Sequence, residues 1–148
     1  MPFRFNMLLE DAGIDPTQVR LLRHQTPLSG GRTLLDIWHG DRAGFEDYQS
    51  IQKAAQRTSF ARPYWAAFVG TWEGRTMFAG LYEAGDAVNV PEAVHLATGE
   101  VLPAGDADRY QTRLSNHLRP YIGSTSTGVA DHSASGLGTS GRSFRTSW

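Results

Sequence analysis

Six aromatic side chains, Tyr64, Trp65, Phe68, Trp72, Phe78 and Tyr82, are crowded into residues 64–82. Flat rings of this kind stack on unpaired or extruded bases, at about 1–3 kcal/mol per base. Arginine is a suitable companion, because its planar fork matches phosphate oxygens. Thirteen of the fourteen basic residues are Arg, although a genome rich in G and C produces the same bias with no function behind it. Arg20, Arg23 and Arg75 are the candidates for holding phosphate. Tyr64, Trp65, Trp72 and Tyr82 are the candidates for stacking, whereas Phe68 and Phe78 read as core. Trp72 falls at a turn, where burial is least assured, and is the foremost contact candidate among them.

Other chemistries are poorly supplied. The chain has no cysteine, which excludes disulfides, Cys-ligated zinc and thiol catalysis. His24, His39, His95, His117 and His132 form no pair at metal-ligand spacing, and no HExxH occurs. His39 and Asp41 offer an acid and a base, but the local HGD is an ordinary turn before a capped helix. Ser124, Ser126 and Ser133 lie near His132 in a Gly/Ser tract, which cannot hold a nucleophile and its base within about 3 Å. GDR and SGGR lack the Lys and the strand–loop–helix setting of a phosphate-binding loop. No metal, no cofactor and no catalytic residue is expected.

At 148 residues the chain allows one ordinary domain, and its 40% hydrophobic and 20% charged content fit a globular one. No apolar run approaches the ~18–20 residues that span a bilayer. The N-terminus carries Glu10 and Asp11 and no long apolar stretch. No membrane association and a cytoplasmic location are therefore expected. A net charge of −1 gives no global basic field to gather nucleic acid. Residues 20–75 nevertheless hold eight basic against five acidic side chains, and residues 83–108 hold six acids and no Lys or Arg. The first region is either a face biased to positive charge or simply a solvated surface.

The pattern predicts a short helix over 3–12 ended by Gly13, and a strand over 19–25 with Val19 and Leu21 on one face and Arg20 and Leu22 on the other. Residues 33–38 read as a short apolar turn. Asp41 then caps an amphipathic helix over 42–57, with Phe45, Tyr48, Ile51 and Ala55 at near-helical spacing and Gln49, Gln52 and Gln56 on its polar side. Residues 64–83 read as a β-hairpin turning at 71–74 and apolar on both faces, with Gly70 and Gly80 placed to bend it. Residues 85–108 read as an acidic excursion with one short apolar patch at 93–97. A last strand is expected at 110–114, and a helix beginning at 115–118 that Pro120 limits. Of the last 26 residues, 16 are Gly, Ser or Thr, too little apolar surface to offset ordering entropy. The expected architecture is α+β: a curled, mainly antiparallel sheet or partial barrel with amphipathic helices over 1–122, and a disordered tail over 123–148.

The succession VRLLRHQ, GFEDYQSIQ and YWAAFVGTWEGRTMFAGLYEA resembles the region that precedes the nuclease domain in bacterial GIY-YIG nuclease-family proteins. The matching segments run from about residue 8 to residue 118. The resemblance implies a mixed α/β region associated with DNA and with a nuclease, supplied by a partner or by a following domain. The hairpin is also similar, at the level of fold, to the curled sheets of EVE- and PUA-like domains, which implies modified-base binding by analogy.

YIGSTSTG at 121–128 looks like the second half of the nuclease signature itself. Tyr110 lies eleven residues before Tyr121, but Asp108-Arg109-Tyr110 is not GIY and the intervening residues form no strand–turn–strand pattern. Arg142 falls in a Gly/Ser tract, no Glu follows Glu100 and no acid follows Asp131. Without a carboxylate, metal-assisted phosphodiester cleavage has no Lewis acid. A truncation or a frame change near Arg119 would explain the abrupt change of composition. The leading expectation is a non-catalytic DNA-recognition or accessory module, built on arginine–phosphate contacts and aromatic stacking and able to sense a modified base. The alternatives are a protein-interaction or structural domain, including a homo-oligomer, and an autonomous endonuclease.

Overall fold

The computed structural model describes residues 3–25, 31–71, 74–126 and 143–145. A two-residue strand, β1 (Phe3–Arg4), leads into α1 (Phe5–Asp11), which buries Phe5, Leu8 and Leu9 at helical spacing. Gly13 follows at φ +80°, where a side chain is disfavoured, and ends it as expected. Asp15 caps a 3-10 turn by accepting from the Thr17 amide at 2.9 Å, and β2 (Val19–His24) begins directly after it.

The short apolar run expected as a turn over 33–38 is instead the cap and first part of a helix. Thr33 and Asp36 make a reciprocal capping box that starts α2 (Leu34–Gly40), which buries Leu34, Leu35, Ile37 and Trp38. Asp41 caps the next helix, α3 (Arg42–Ser50), by accepting from Gly44 N at 2.9 Å. That helix ends earlier than the spacing predicts. From Ile51 the chain turns extended as β3 (Ile51–Lys53), then passes a 3-10 turn into the short α4 (Arg57–Phe60). The competing demand is a sheet edge: β3 pairs antiparallel with a later strand, Ile51 opposite Arg109, and β-branched Ile suits the strand. Gln49 is fully buried rather than solvated.

The expected hairpin is β4 (Tyr64–Gly70) with β5 (Thr76–Val90), closed by the Thr71 amide donating to the Arg75 carbonyl at 2.8 Å. β5 is longer than the pattern suggests and absorbs the start of the supposed excursion. The remainder of that stretch makes a small separate hairpin, β6 (Val94–His95) with β7 (Val101–Leu102), and β8 (Ala107–Leu114) returns along β5. The main strand order is β2-β4-β5-β8-β3, parallel between β2 and β4 and antiparallel elsewhere, curled into a half-barrel. The fold is therefore α+β.

Both faces of the sheet are buried over β4 and the first half of β5. On one, Leu22, Trp65, Ala67, Val69 and Tyr82 pack with α2, α3 and α4; on the other, Val19, Ala66, Phe68, Phe78 and Leu81 pack with α1 and Leu118. Two irregularities bend β5. At the first, Ala67 pairs with Gly80 and Phe68 with Phe78, so Ala79 is an extra residue. Gly80 adopts φ +142° there, and a Cβ would lie 2.7 Å from Leu114 Cδ1. Gly70, the other expected bend, has no positive φ. At the second, Ala84 pairs with Thr112 but Ala87 with Tyr110, so Gly85 and Asp86 oppose Gln111 alone.

After β8 the expected helix is a 3-10 turn (Arg119–Tyr121), entered through Leu118 at φ +62°. Within the region expected to be a disordered tail, β9 (Thr125–Ser126) pairs with the start of β5, and β10 (Ser143–Arg145) lies parallel to β9 and β1. The rest of that region, 127–142 and 146–148, is outside the described residues. Among the described residues no helix is long and apolar enough to cross a membrane.

Candidate functional site

β8 alternates, so Asp108 and Tyr110 project from the same face. They form the floor of an open cleft of about 730 Å³. One wall is α4 and the turn after it, with Arg57, Phe60, Ala61 and Arg62; the other is β5 from Ala84 to Asn89. The second irregularity of β5 thus lies in the cleft wall, a common position for such features beside binding sites.

Asp108 is fully buried and its carboxylate is gripped from two sides. Arg57 donates Nε to Oδ2 at 2.7 Å and Nη2 to Oδ1 at 2.8 Å, a bidentate pair, and Asn89 on β5 donates its amide to Oδ1 at 3.1 Å. Asn89 is held in turn by the Gly105 carbonyl at 2.9 Å. The Arg57 hydrogen bonds, aided by Asn89 and opposed by burial, keep the Asp108 carboxyl below its usual value. The floor carries a matched ion pair with no surplus charge.

Tyr110 differs. It is 6% exposed, yet its hydroxyl has no hydrogen-bond partner in the protein. Its ring is fixed edge-on to Trp65 at 4.8 Å, and burial raises its pKa, so the phenol is neutral. Behind it Phe60 meets Trp65 edge-on at 5.2 Å, and the Arg20 guanidinium lies over Phe60 at 5.1 Å. Arg20 Nε is likewise buried without a partner. Arg62 donates to the Val19 carbonyl at 3.3 Å. Arg20 thus lies on the ring of Phe60, while Arg57 and Arg62 line the cleft that this ring also borders.

The residues singled out by sequence are distributed differently. Trp65 and Tyr82 are core: the Trp65 indole N–H donates to the Phe60 carbonyl at 3.3 Å, and the Tyr82 hydroxyl donates to Glu46 at 2.7 Å. Neither ring has a face open to a base, because both are enclosed in the core between the sheet and its helices. Tyr64 is half-buried against the α1-side core, away from the cleft floor. Arg23 is exposed on β2, and Arg75 is half-buried at the hairpin turn. Trp72 lies outside the described residues. Of the set, Arg20 and Trp65 are brought together, paired in register across β2 and β4 and both against Phe60. Arg57, Phe60, Asn89, Asp108 and Tyr110 were missed. Arg57 and Phe60 at i, i+3 and Asp108 and Tyr110 at i, i+2 would have shared faces of a helix and a strand, had those elements been drawn there.

Tyr110 belongs to the core beneath the cleft, whereas Tyr121 packs into the core on the other side of the sheet. The two tyrosines of the signature-like pattern do not converge. Between β2 and α3, His24 Nε2 is 2.8 Å from Gln49 Oε1, and burial pushes the His24 pKa down, against the opposing effect of that bond. Lys53 and Glu100 pair at 3.2 Å beside it. Among the described residues no group of three His, Asp or Glu side chains is placed to hold a metal ion. No family model, curated protein or solved structure matches the chain.

Proposed function

We propose that the chain is a non-catalytic nucleic-acid-recognition module, a cytoplasmic DNA-binding accessory similar to the region preceding the catalytic domain in bacterial GIY-YIG nuclease-family proteins. The observation that carries this reading is the grouping of Arg57 and Arg62 in the lining of the cleft, with Arg20 against the ring of Phe60 that borders it. Arg57 spends its fork on Asp108 and orders the wall. Arg20, with an unpartnered buried Nε, and Arg62, on the rim, supply the cations for phosphate. A protein that neutralises phosphates releases counterions, so its affinity falls with salt in proportion to the contacts made.

The test is equilibrium binding to short duplex and single-stranded DNA, plain and base-modified, between about 50 and 200 mM salt. Binding that weakens with salt is expected, and Arg62→Gln should reduce the slope by about one contact. Absence of binding to every probe at the lowest salt would remove the reading, and a homodimer that buries the cleft mouth would replace it with a protein-interaction role.

A further inference from the structure

We propose that the cleft floored by Asp108 and Tyr110 binds an uncharged planar ring carrying a hydrogen-bond donor and acceptor on one edge, the chemistry of a nucleobase. The choice of a nucleobase over other neutral rings rests on the nucleic-acid reading above; the existence of the site does not.

Charge is the first argument. Arg57 and Asp108 neutralise each other through two short hydrogen bonds, and the lining adds one further residue of each sign, Arg62 at the rim and Asp86 on the opposite wall. An anion in the cleft would sit against two carboxylates, and a cation against two guanidinium groups. Either would lose hydration without gaining a counter-charge. A neutral guest avoids both losses.

The lining is the second. Phe60, Ala61, Pro63, Ala84 and Ala87 line the space, and apolar side chains with one aromatic ring among them suit the face of an uncharged ring. A volume of about 730 Å³ lies within the ~300–1,000 Å³ typical of small-ligand pockets. The third is the Tyr110 hydroxyl. Tyr110 lines the cleft, and its hydroxyl is buried and unpartnered in the protein, so it has a hydrogen to give and lone pairs to receive. Its ring cannot swing away to satisfy it elsewhere, being wedged edge-on against Trp65. A guest edge with donor and acceptor side by side would engage this hydroxyl and the rim of the Asp108–Asn89 pair together.

A nucleobase reaches such a cleft either as a free nucleoside or as an unpaired base within a strand, and the experiment separates the two. Calorimetric titration would use the four free nucleosides, a short duplex with one unpaired base, and the same duplex with an abasic residue there. Tyr110→Phe removes only the hydroxyl, and Ala61→Trp fills the cleft from an exposed position. At least one nucleoside, or the unpaired base over the abasic residue, should bind, with affinity falling about tenfold in Tyr110→Phe and further in Ala61→Trp. The thermal midpoint of Tyr110→Phe should not fall, since no hydrogen bond within the protein is lost. Nucleoside binding without any oligonucleotide binding would keep the site and overturn the nucleic-acid reading. Salt-dependent binding that treats unpaired and abasic duplexes alike, with no nucleoside binding, would overturn the site and keep that reading.

Discussion

The Asp108–Arg57 pair is asymmetric: the Asp108 side chain is 1% exposed and that of Arg57 is 58% exposed. Removing one partner of an ion pair is costly when the charge left behind stays buried. Arg57→Ala strands a carboxylate with only Asn89 to bind it, whereas Asp108→Ala frees a guanidinium that turns to water. The urea midpoint should therefore drop more in Arg57→Ala than in Asp108→Ala, the reverse of what exposure alone suggests. Acid sensitivity follows the same logic. The native Asp108 carboxyl titrates below its ordinary value of 3.8, so its contribution is complete above that value and is lost as the pH falls toward the native one. In Arg57→Ala that depression is relieved, and burial favours the protonated form. Acid titrations of the two proteins, followed by circular dichroism, check both statements.

At the scale of elements, β5 depends on the kink at Gly80. Its φ of +142° is a region that side chains rarely adopt, and Leu114 crowds the place of a Cβ. Gly80→Ala should cost about 1–3 kcal/mol, read as a lowered midpoint with unchanged cooperativity. The hairpin around this kink was legible in the sequence, because alternating aromatic and small residues on both sides of a Gly-containing turn admit little else. The two faces of β2 were legible for the same reason. Less so were the elements whose identity depends on distant partners. The 45, 48, 51, 55 spacing is helical, yet Ile51 is drawn into a strand by an edge 58 positions away, opposite Arg109. The cap of α2 was local and readable in Thr33 and Asp36, but the short apolar run behind it resembled a turn. The cleft was the least legible part, since its walls come from α4 and β5 and its floor from β8. Arg57, Phe60 and Tyr110 acquire a joint meaning only when those three elements meet.

For the molecule as a whole, acid stability should reveal His24 before any carboxylate. It sits between the sheet and α3, with Gln49 at its Nε2, the rings of Phe45 and Tyr48 beside it, and Lys53 and Glu100 across the adjoining pocket. Burial holds its native pKa below the ordinary 6.5, so the unfolded chain takes up this proton first. Stability is complete above 6.5 and declines as the pH falls from there to the native value. A thermal midpoint that drops between about pH 7 and pH 5, and a His24→Gln variant that starts lower but loses much of that slope, are the expected observations. A slope unchanged in the variant would assign the acid sensitivity to another group.

The connectivity of the sheet also sets a sequence of events. β4, β5 and β8 form a continuous meander over 64–114, whose strands meet their neighbours by local return of the chain. β2 and β3 precede this meander, but one docks on β4 and the other on β8, at opposite margins. Closing those longer loops costs more entropy than turning the hairpin. The middle of the chain is thus the expected nucleus for the earlier segments, which φ-values in β4 and β5 higher than those in β2 and β3 would bear out. A ribosome delivering this polypeptide from its N-terminus would hold β2 as a strand in waiting until β4 had emerged, and β3 until β8 had followed.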